Sequence, residues 1–115
     1  VRVEFTNDEL ILTLVSLIRA TDPRLLSHGP EGFSVDFTTL ERKEHPTQDE
    51  RLLLRLRGAL DSTLGQQGGY GLELSDTERQ RLAEALDALD KLQAWPADVV
   101  EMNSRLRTRL LAVEA

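Results

Sequence analysis

The sequence predicts an α+β fold dominated by helices, with about four helices and a small two- or three-stranded sheet covered on one face. Three observations lead there. Apolar and polar residues alternate with period two in short segments near 1–5, 33–37 and 70–74, the pattern of strands with one buried face. Between and after them run longer leucine-rich stretches whose apolar residues recur at three- and four-residue spacing, the period of an amphipathic helix. A hydroxyl residue followed three positions later by glutamate marks where the helices start: Thr6 with Glu9, Thr47 with Glu50, and Ser75 with Glu78. At that spacing the hydroxyl accepts from an orphan amide of the first turn, and the glutamate reaches back to the cap amide. A fourth pair, Thr38 with Glu41, precedes no long apolar segment.

The first strand, Val1 to Thr6, turns Val3 and Phe5 to one side and Arg2 and Glu4 to the other. A helix follows from Asn7 to about Ala20, where Thr21, Asp22 and Pro23 close it. After its opening Asn7 and Asp8, only Glu9, Thr13, Ser16 and Arg19 interrupt the apolar residues. More than one neighbour must bury such a helix, so it is the expected centre of the fold. In the stretch from Thr21 to Pro46, Leu25 and Leu26 are expected in the core. Ser27 to Gly32 reads as an exposed turn region, and Phe33 to Thr38 as the second strand.

The second helix spans Gln48 to about Leu64, with Leu52, Leu53, Leu56, Ala59, Leu60 and Leu64 on one stripe. Gly65 supplies a left-handed stop, and Gln66 to Gly69 connect to the strand Tyr70 to Ser75. The third helix, Asp76 to about Ala94, turns Leu82, Ala85, Leu86, Leu89 and Leu92 inward. Pro96 suits the first turn of a fourth, which buries Val99, Met102, Leu106, Leu110 and Val113. Glu4-Phe5-Thr6 and Glu73-Leu74-Ser75, with their helices, match at an offset of 69 residues (75 minus 6), a possible internal strand-helix-helix repeat.

At 115 residues the chain supports a single domain, 1–115, with one core. It holds no cysteine, which excludes disulfides, thiolate metal sites and a cysteine nucleophile. No signal-peptide pattern opens it, so it reads as cytoplasmic. Its most apolar stretch, Leu10 to Ile18, is far shorter than the roughly 18 residues of a membrane span. His28 and His45 form no ligand pair at helical spacing, and no serine stands in a Gly-x-Ser-x-Gly context. The glycines from 65 to 71 lack the Gly-Lys-Ser/Thr ending of a phosphate loop, and Gly69-Tyr70-Gly71 leads into a strand rather than out of one. Neither catalysis, nor a cofactor, nor a metal is therefore expected.

The sharpest constellation is a set of recurring acids, Glu4, Asp36 and Glu73, each on the strand face opposite the buried residues. With the three strands side by side, these carboxylates would share a solvent face able to receive a basic partner or a divalent cation. Arginines cluster too, at Arg51, Arg55 and Arg57 and at Arg105, Arg107 and Arg109, where the last group complements a helix C-terminus. Arg2 to Ala20 and Leu72 to Leu92 resemble the opening of ribbon-helix-helix repressors, which implies paired strands and DNA binding through their outer side chains. The matching positions hold Arg2, Glu4, Gly71 and Glu73. Two carboxylates repel phosphate, and the segment around Phe33 to Phe37 has no counterpart in that family.

With 20 acids against 14 Lys and Arg, a net charge of −6 and a pI near 4.9, nucleic acid is an unfavoured partner. The favoured expectation is a small acidic protein–protein interaction module, immunity- or antitoxin-like, an adaptor or a regulatory subunit, with Glu4, Asp36 and Glu73 meeting a basic partner. A DNA-binding regulator comes second and an uncharacterised enzyme third. The nearly all-round apolar first helix and the 4% aromatic content also favour a homodimer. As the cap of the cleanest amphipathic helix, Ser75→Ala should lose about 0.5–2 kcal/mol, read as a lower denaturation midpoint.

Overall fold

A computed structural model describes residues 2–29, 32–63, 70–92 and 94–112. The order is β1 (Arg2–Phe5), α1 (Asn7–Thr21), a single 3-10 turn (Pro23–Leu25), β2 (Leu26–Gly29), β3 (Gly32–Val35), α2 (Phe37–Glu41), α3 (Gln48–Thr63), β4 (Tyr70–Glu73), α4 (Asp76–Leu92) and α5 (Ala97–Ala112). The fold is helix-dominated α+β, as the periodicities predicted. Its strands form two separate antiparallel pairs, β1 with β4 and β2 with β3, rather than one three-stranded sheet.

All three expected capping boxes are formed. The amides of Thr6, Thr47 and Ser75 donate to Glu9, Glu50 and Glu78 at 2.8, 2.9 and 2.9 Å. Each glutamate amide donates back to the hydroxyl at 3.2 Å. Asp22 ends α1 as expected, and its carboxylate then accepts from the Arg24 amide to start the 3-10 turn.

The segment from 26 to 37 departs from expectation. Ser27 to Gly32 is not an exposed turn region throughout: Leu26 to Gly29 pair antiparallel with Gly32 to Val35. Pro30 and Glu31, within that expected region, lie outside the described residues. The strand ends at Val35, before the expected Phe37, because Asp36 caps α2: its carboxylate accepts from the Thr39 amide at 3.2 Å and from the Thr39 hydroxyl at 2.7 Å. α4 ends at Leu92, close to the expected Ala94, and Pro96 disfavours the helical region for Trp95 before α5 begins. Pro96 lies just outside α5, its carbonyl accepting from the Val99 and Val100 amides at 3.0 Å. Leu64, the expected stop at Gly65, the connection 66–69 and Val113 lie outside the described residues.

α1 packs against both α3 and α4 and touches α5 and β1, the central place its composition required. Leu10, Leu14, Leu17 and Ile18 meet Leu52, Leu53, Leu56, Leu82, Leu86, Leu106 and Leu110 in one core, with Val3, Phe5, Leu72 and Leu74 beneath the ribbon. Each such side chain contributes about 1.5–3 kcal/mol relative to exposure. Thr13 and Ser16 are buried in α1, and their hydroxyls donate to the Glu9 and Leu12 carbonyls at 2.7 Å.

The offset of 69 residues is also a spatial relation. Val3 pairs with Leu72, its own counterpart (3 plus 69). The flanking pairs Arg2–Glu73 and Glu4–Gly71 exchange under the same offset. An approximate twofold axis therefore passes by the Val3–Leu72 pair. Burial follows it into the helices: Leu10 and Arg79, Thr13 and Leu82, Leu14 and Ala83, Ser16 and Ala85, and Leu17 and Leu86 are all buried. α3 beside α1 and α5 beside α4 complete the two halves.

Each half holds the other by an arginine. Arg109 of α5 donates to the Glu4 carbonyl and to the Glu9 carboxylate, both at 2.8 Å. Arg55 of α3 donates to the matched Glu73 carbonyl and Glu78 carboxylate. Arg107 reaches Asp87 of α4 at 3.0 Å and orients Asn103 at 2.8 Å, whose amide donates to the Leu86 carbonyl at 2.9 Å. Arg107 and Arg109 thus act between elements rather than on their own helix end, the role expected from sequence. Arg105 pairs within α5 with Glu101 at 3.8 Å.

Burial works against ionisation of Glu9, but the hydrogen bonds from Arg109 and Thr6 and the Arg109 charge outweigh it, so its pKa lies below the ordinary 4.5. Glu78 is balanced the same way, burial opposing Ser75 and Arg55, and is also lowered from 4.5. A carboxyl lowered by folding stabilises above its unfolded pKa, and that contribution disappears as pH falls through the folded one. Denaturant midpoints should therefore drop as the pH falls below about 4.5. Combining Glu9→Gln with Glu78→Gln should cost about 1 kcal/mol per site at neutral pH and flatten that acid decline.

Candidate functional site

Two exposed features stand out, the outer face of the ribbon and a groove between α1 and α5. On the ribbon, Glu4 and Glu73 share the solvent face with Arg2 and Gly71. Arg2 lies across Gly71, where a Cβ would run into its guanidinium, and its Nε donates to Glu4 at 3.1 Å. The face carries two carboxylates and one guanidinium, a balance of −1 (one cation minus two anions). Asp36 is not on it. It sits at the start of α2, in a segment whose strand belongs to the other sheet, with its pKa lowered by the Thr39 hydroxyl and amide that it accepts from. The structure therefore brings together two of the three recurring acids. Among the described residues no group of three or more potential ligands is placed to hold a metal ion.

The groove has a volume of about 360 Å³. Ile11, Leu12 and Val15 of α1 form one wall, Val99 and Met102 of α5 the other, and Trp95 and Leu89 complete the apolar lining. Trp95 is held by its indole N–H, which donates at 2.9 Å to the Leu89 carbonyl in the last turn of α4. The lining side chains of α1 and α5 and Trp95 are half-buried, so their apolar surface is open to a ligand.

Among the described residues, the charged groups that line the groove are both acids, Asp8 and Asp98. Both stand in the first turn of their helices, where the backbone dipole favours a carboxylate. A negative rim is therefore compatible with a stable free protein.

The matching positions of the other half carry polar and charged side chains instead. Ile11, Leu12 and Val15 correspond to Gln80, Arg81 and Glu84 at the offset of 69. There Arg81 bridges to Asp49 of α3 at 3.1 Å to both carboxylate oxygens and approaches Glu84 at 3.9 Å. Charged side chains tie α4 to α3, while α1 presents aliphatic surface beside α5. A second concavity, about 480 Å³ between α4 and α5, has a mixed polar and apolar lining, and its Arg107 and Asp87 already satisfy each other at 3.0 Å.

The sequence marked Leu12 and Val15 as parts of an apolar helix and Val99 and Met102 as buried positions, but gave no sign that they would line an open groove. The signal was present in the repeat. Aligning the two helices shows apolar residues in one half at positions that are polar in the other.

Since Ile11 and Val15 are half-buried and, unlike Leu12, lie outside the set of side chains packed on the core, Ile11→Gln or Val15→Glu should shift stability by no more than about 0.5–1 kcal/mol. The buried Leu14→Ala, on the same helix, should cost about 2–5 kcal/mol. Urea titrations of the three variants test this difference. In comparisons with known proteins the chain matches no family model, no curated protein and no solved structure.

Proposed function

We propose that the chain is a small, acidic, non-catalytic protein–protein interaction module, of the immunity- or antitoxin-like, adaptor or regulatory-subunit kind, with a basic partner. The observation that carries this reading is the apolar groove with an acidic rim, set against the ion-paired positions that match it in the other half. Half-buried aliphatic side chains that keep part of their surface open are suited to association. The charge distribution supports the same reading. Among the described residues, eleven of the fourteen Lys and Arg lie in ion pairs with the chain's own acids. Glu4 and Glu73 on the ribbon add to a negative field that speeds the approach of a basic partner. Asp36 enters this reading only through its charge. We place the interaction in the cytoplasm. Among the described residues no helix is long and apolar enough to cross a membrane.

A second reading, the DNA-binding regulator, draws on the ribbon itself, whose two strands pair about the Val3–Leu72 axis as the ribbon-helix-helix resemblance implies. Its outer face bears a net negative charge, which ranks it below protein binding. A homodimer through the exposed face of α1 is a third arrangement. An isologous contact would set Asp8 and Asp98 of one copy near those of the other, like charges in apposition.

The test uses the wild-type chain, Val15→Glu, and Glu4→Gln with Glu73→Gln as baits in an extract of the native host, with mass spectrometry of what binds. A basic protein held by wild type and lost with Val15→Glu supports the groove. Loss only with the paired Gln variant moves the contact to the ribbon. DNA retarded in a gel at physiological salt, with no protein captured, overturns the reading in favour of the regulator.

A further inference from the structure

We infer that the occupant of the α1–α5 groove is a basic amphipathic helix, which lays apolar side chains on Ile11, Leu12, Val15 and Met102 and directs Lys or Arg to Asp8 and Asp98. This deepens the protein-binding reading above and rests on it.

The walls decide the shape. Both are helices, and the α1 wall runs from Asp8 to Val15, about 10 Å or two turns at 1.5 Å per residue. A third helix laid between them can place residues spaced i, i+3 or i+4, and i+7 into such a groove, the mode by which amphipathic helices are recognised. Trp95 and Met102 add adaptable contact surface.

The charges decide the chemistry. In the other half, the position matching Leu12 is Arg81, whose guanidinium ties α4 to an aspartate of the neighbouring helix, Asp49. In the groove that position is aliphatic, and the aspartates beside it, Asp8 and Asp98, are in no ion pair among the described residues. A partner that brings cations to this rim supplies from outside what Arg81 supplies from within. An acidic helix, or a second copy presenting this same rim, meets like charge instead.

Trp95 is the sole tryptophan and lies in the groove, so its emission reports occupancy directly. The probe is a synthetic helical peptide of about 18 residues, with leucines along one stripe, lysines flanking it and no aromatic residue. Two controls accompany it, one with every lysine replaced by glutamate and one of scrambled order. The lysine peptide should blue-shift Trp95 emission and bind at least about tenfold more tightly than either control, a difference of about 1.4 kcal/mol.

Val15→Glu should weaken binding about tenfold, Asp8→Asn with Asp98→Asn severalfold, and rising salt should weaken it further. Circular dichroism and the urea midpoint of each variant establish that it is folded. Equal binding of the glutamate peptide, insensitivity to Val15→Glu, or an unchanged Trp95 emission overturns the inference. So does a concentration-dependent Trp95 shift of the protein alone, with scattering mass doubling from 12.9 kDa, since a second copy then fills the groove. If these peptides fail while a basic host protein is still lost with Val15→Glu, only the helical form of the ligand is wrong and the interaction reading stands.

Discussion

The whole arrangement depends on the cations that the first-turn glutamates hold in addition to their caps. Glu9, Glu50 and Glu78 each close a capping box with one side of the carboxylate. Each also takes a cation from a different segment: Arg109, Lys43 and Arg55 respectively. A capping box alone is a local device that starts a helix. Loaded with an arginine from another element, it becomes a joint that sets where that helix lies. Burial makes the joint specific, because a buried carboxylate without its cation is strongly unfavourable.

Two of these joints are related by the approximate twofold axis, and the relation explains the path of the chain. α5 at the end of the second half fastens the β1–α1 corner of the first, and α3 of the first fastens the β4–α4 corner of the second. Neither corner is completed by residues of its own half. The residues from 22 to 47, which have no equivalent in the second half, hold an antiparallel strand pair and a short helix. Arg57 joins α2 to α3 there, pairing with Glu41 and lying 4.8 Å from the centre of the Phe37 ring.

Along α1 and α4, departure from the symmetry lies on the outer faces of the two helices. Five matched pairs along α1 and α4 agree in burial, because both helices face the same core. Their outer residues are free to differ, and they do: α4 turns Arg81 to Asp49 and ties itself to α3 with charge, whereas α1 turns aliphatic residues outward beside α5. The groove, its acidic rim and its tryptophan are products of that difference.

The period-two segments, the leucine stripes and the three hydroxyl–glutamate pairs determined by themselves the helix-dominated α+β class, the starts of α1, α3 and α4 and most of the core. These are local properties, since capping and amphipathicity act within a few residues. Even the repeat was legible from Glu4-Phe5-Thr6 and Glu73-Leu74-Ser75. Tertiary structure decided the rest. Only strand pairing could place Glu4 and Glu73 on one ribbon and assign Asp36 to a helix cap, because register between distant segments is set by burial and not by local pattern. Only packing could turn Arg55, Arg107 and Arg109 from charges on helices into ties between elements. And only the placement of α5 beside α1 could make a groove of Leu12, Val15 and Met102, since an apolar side chain reads the same in sequence whether a neighbour covers it or not.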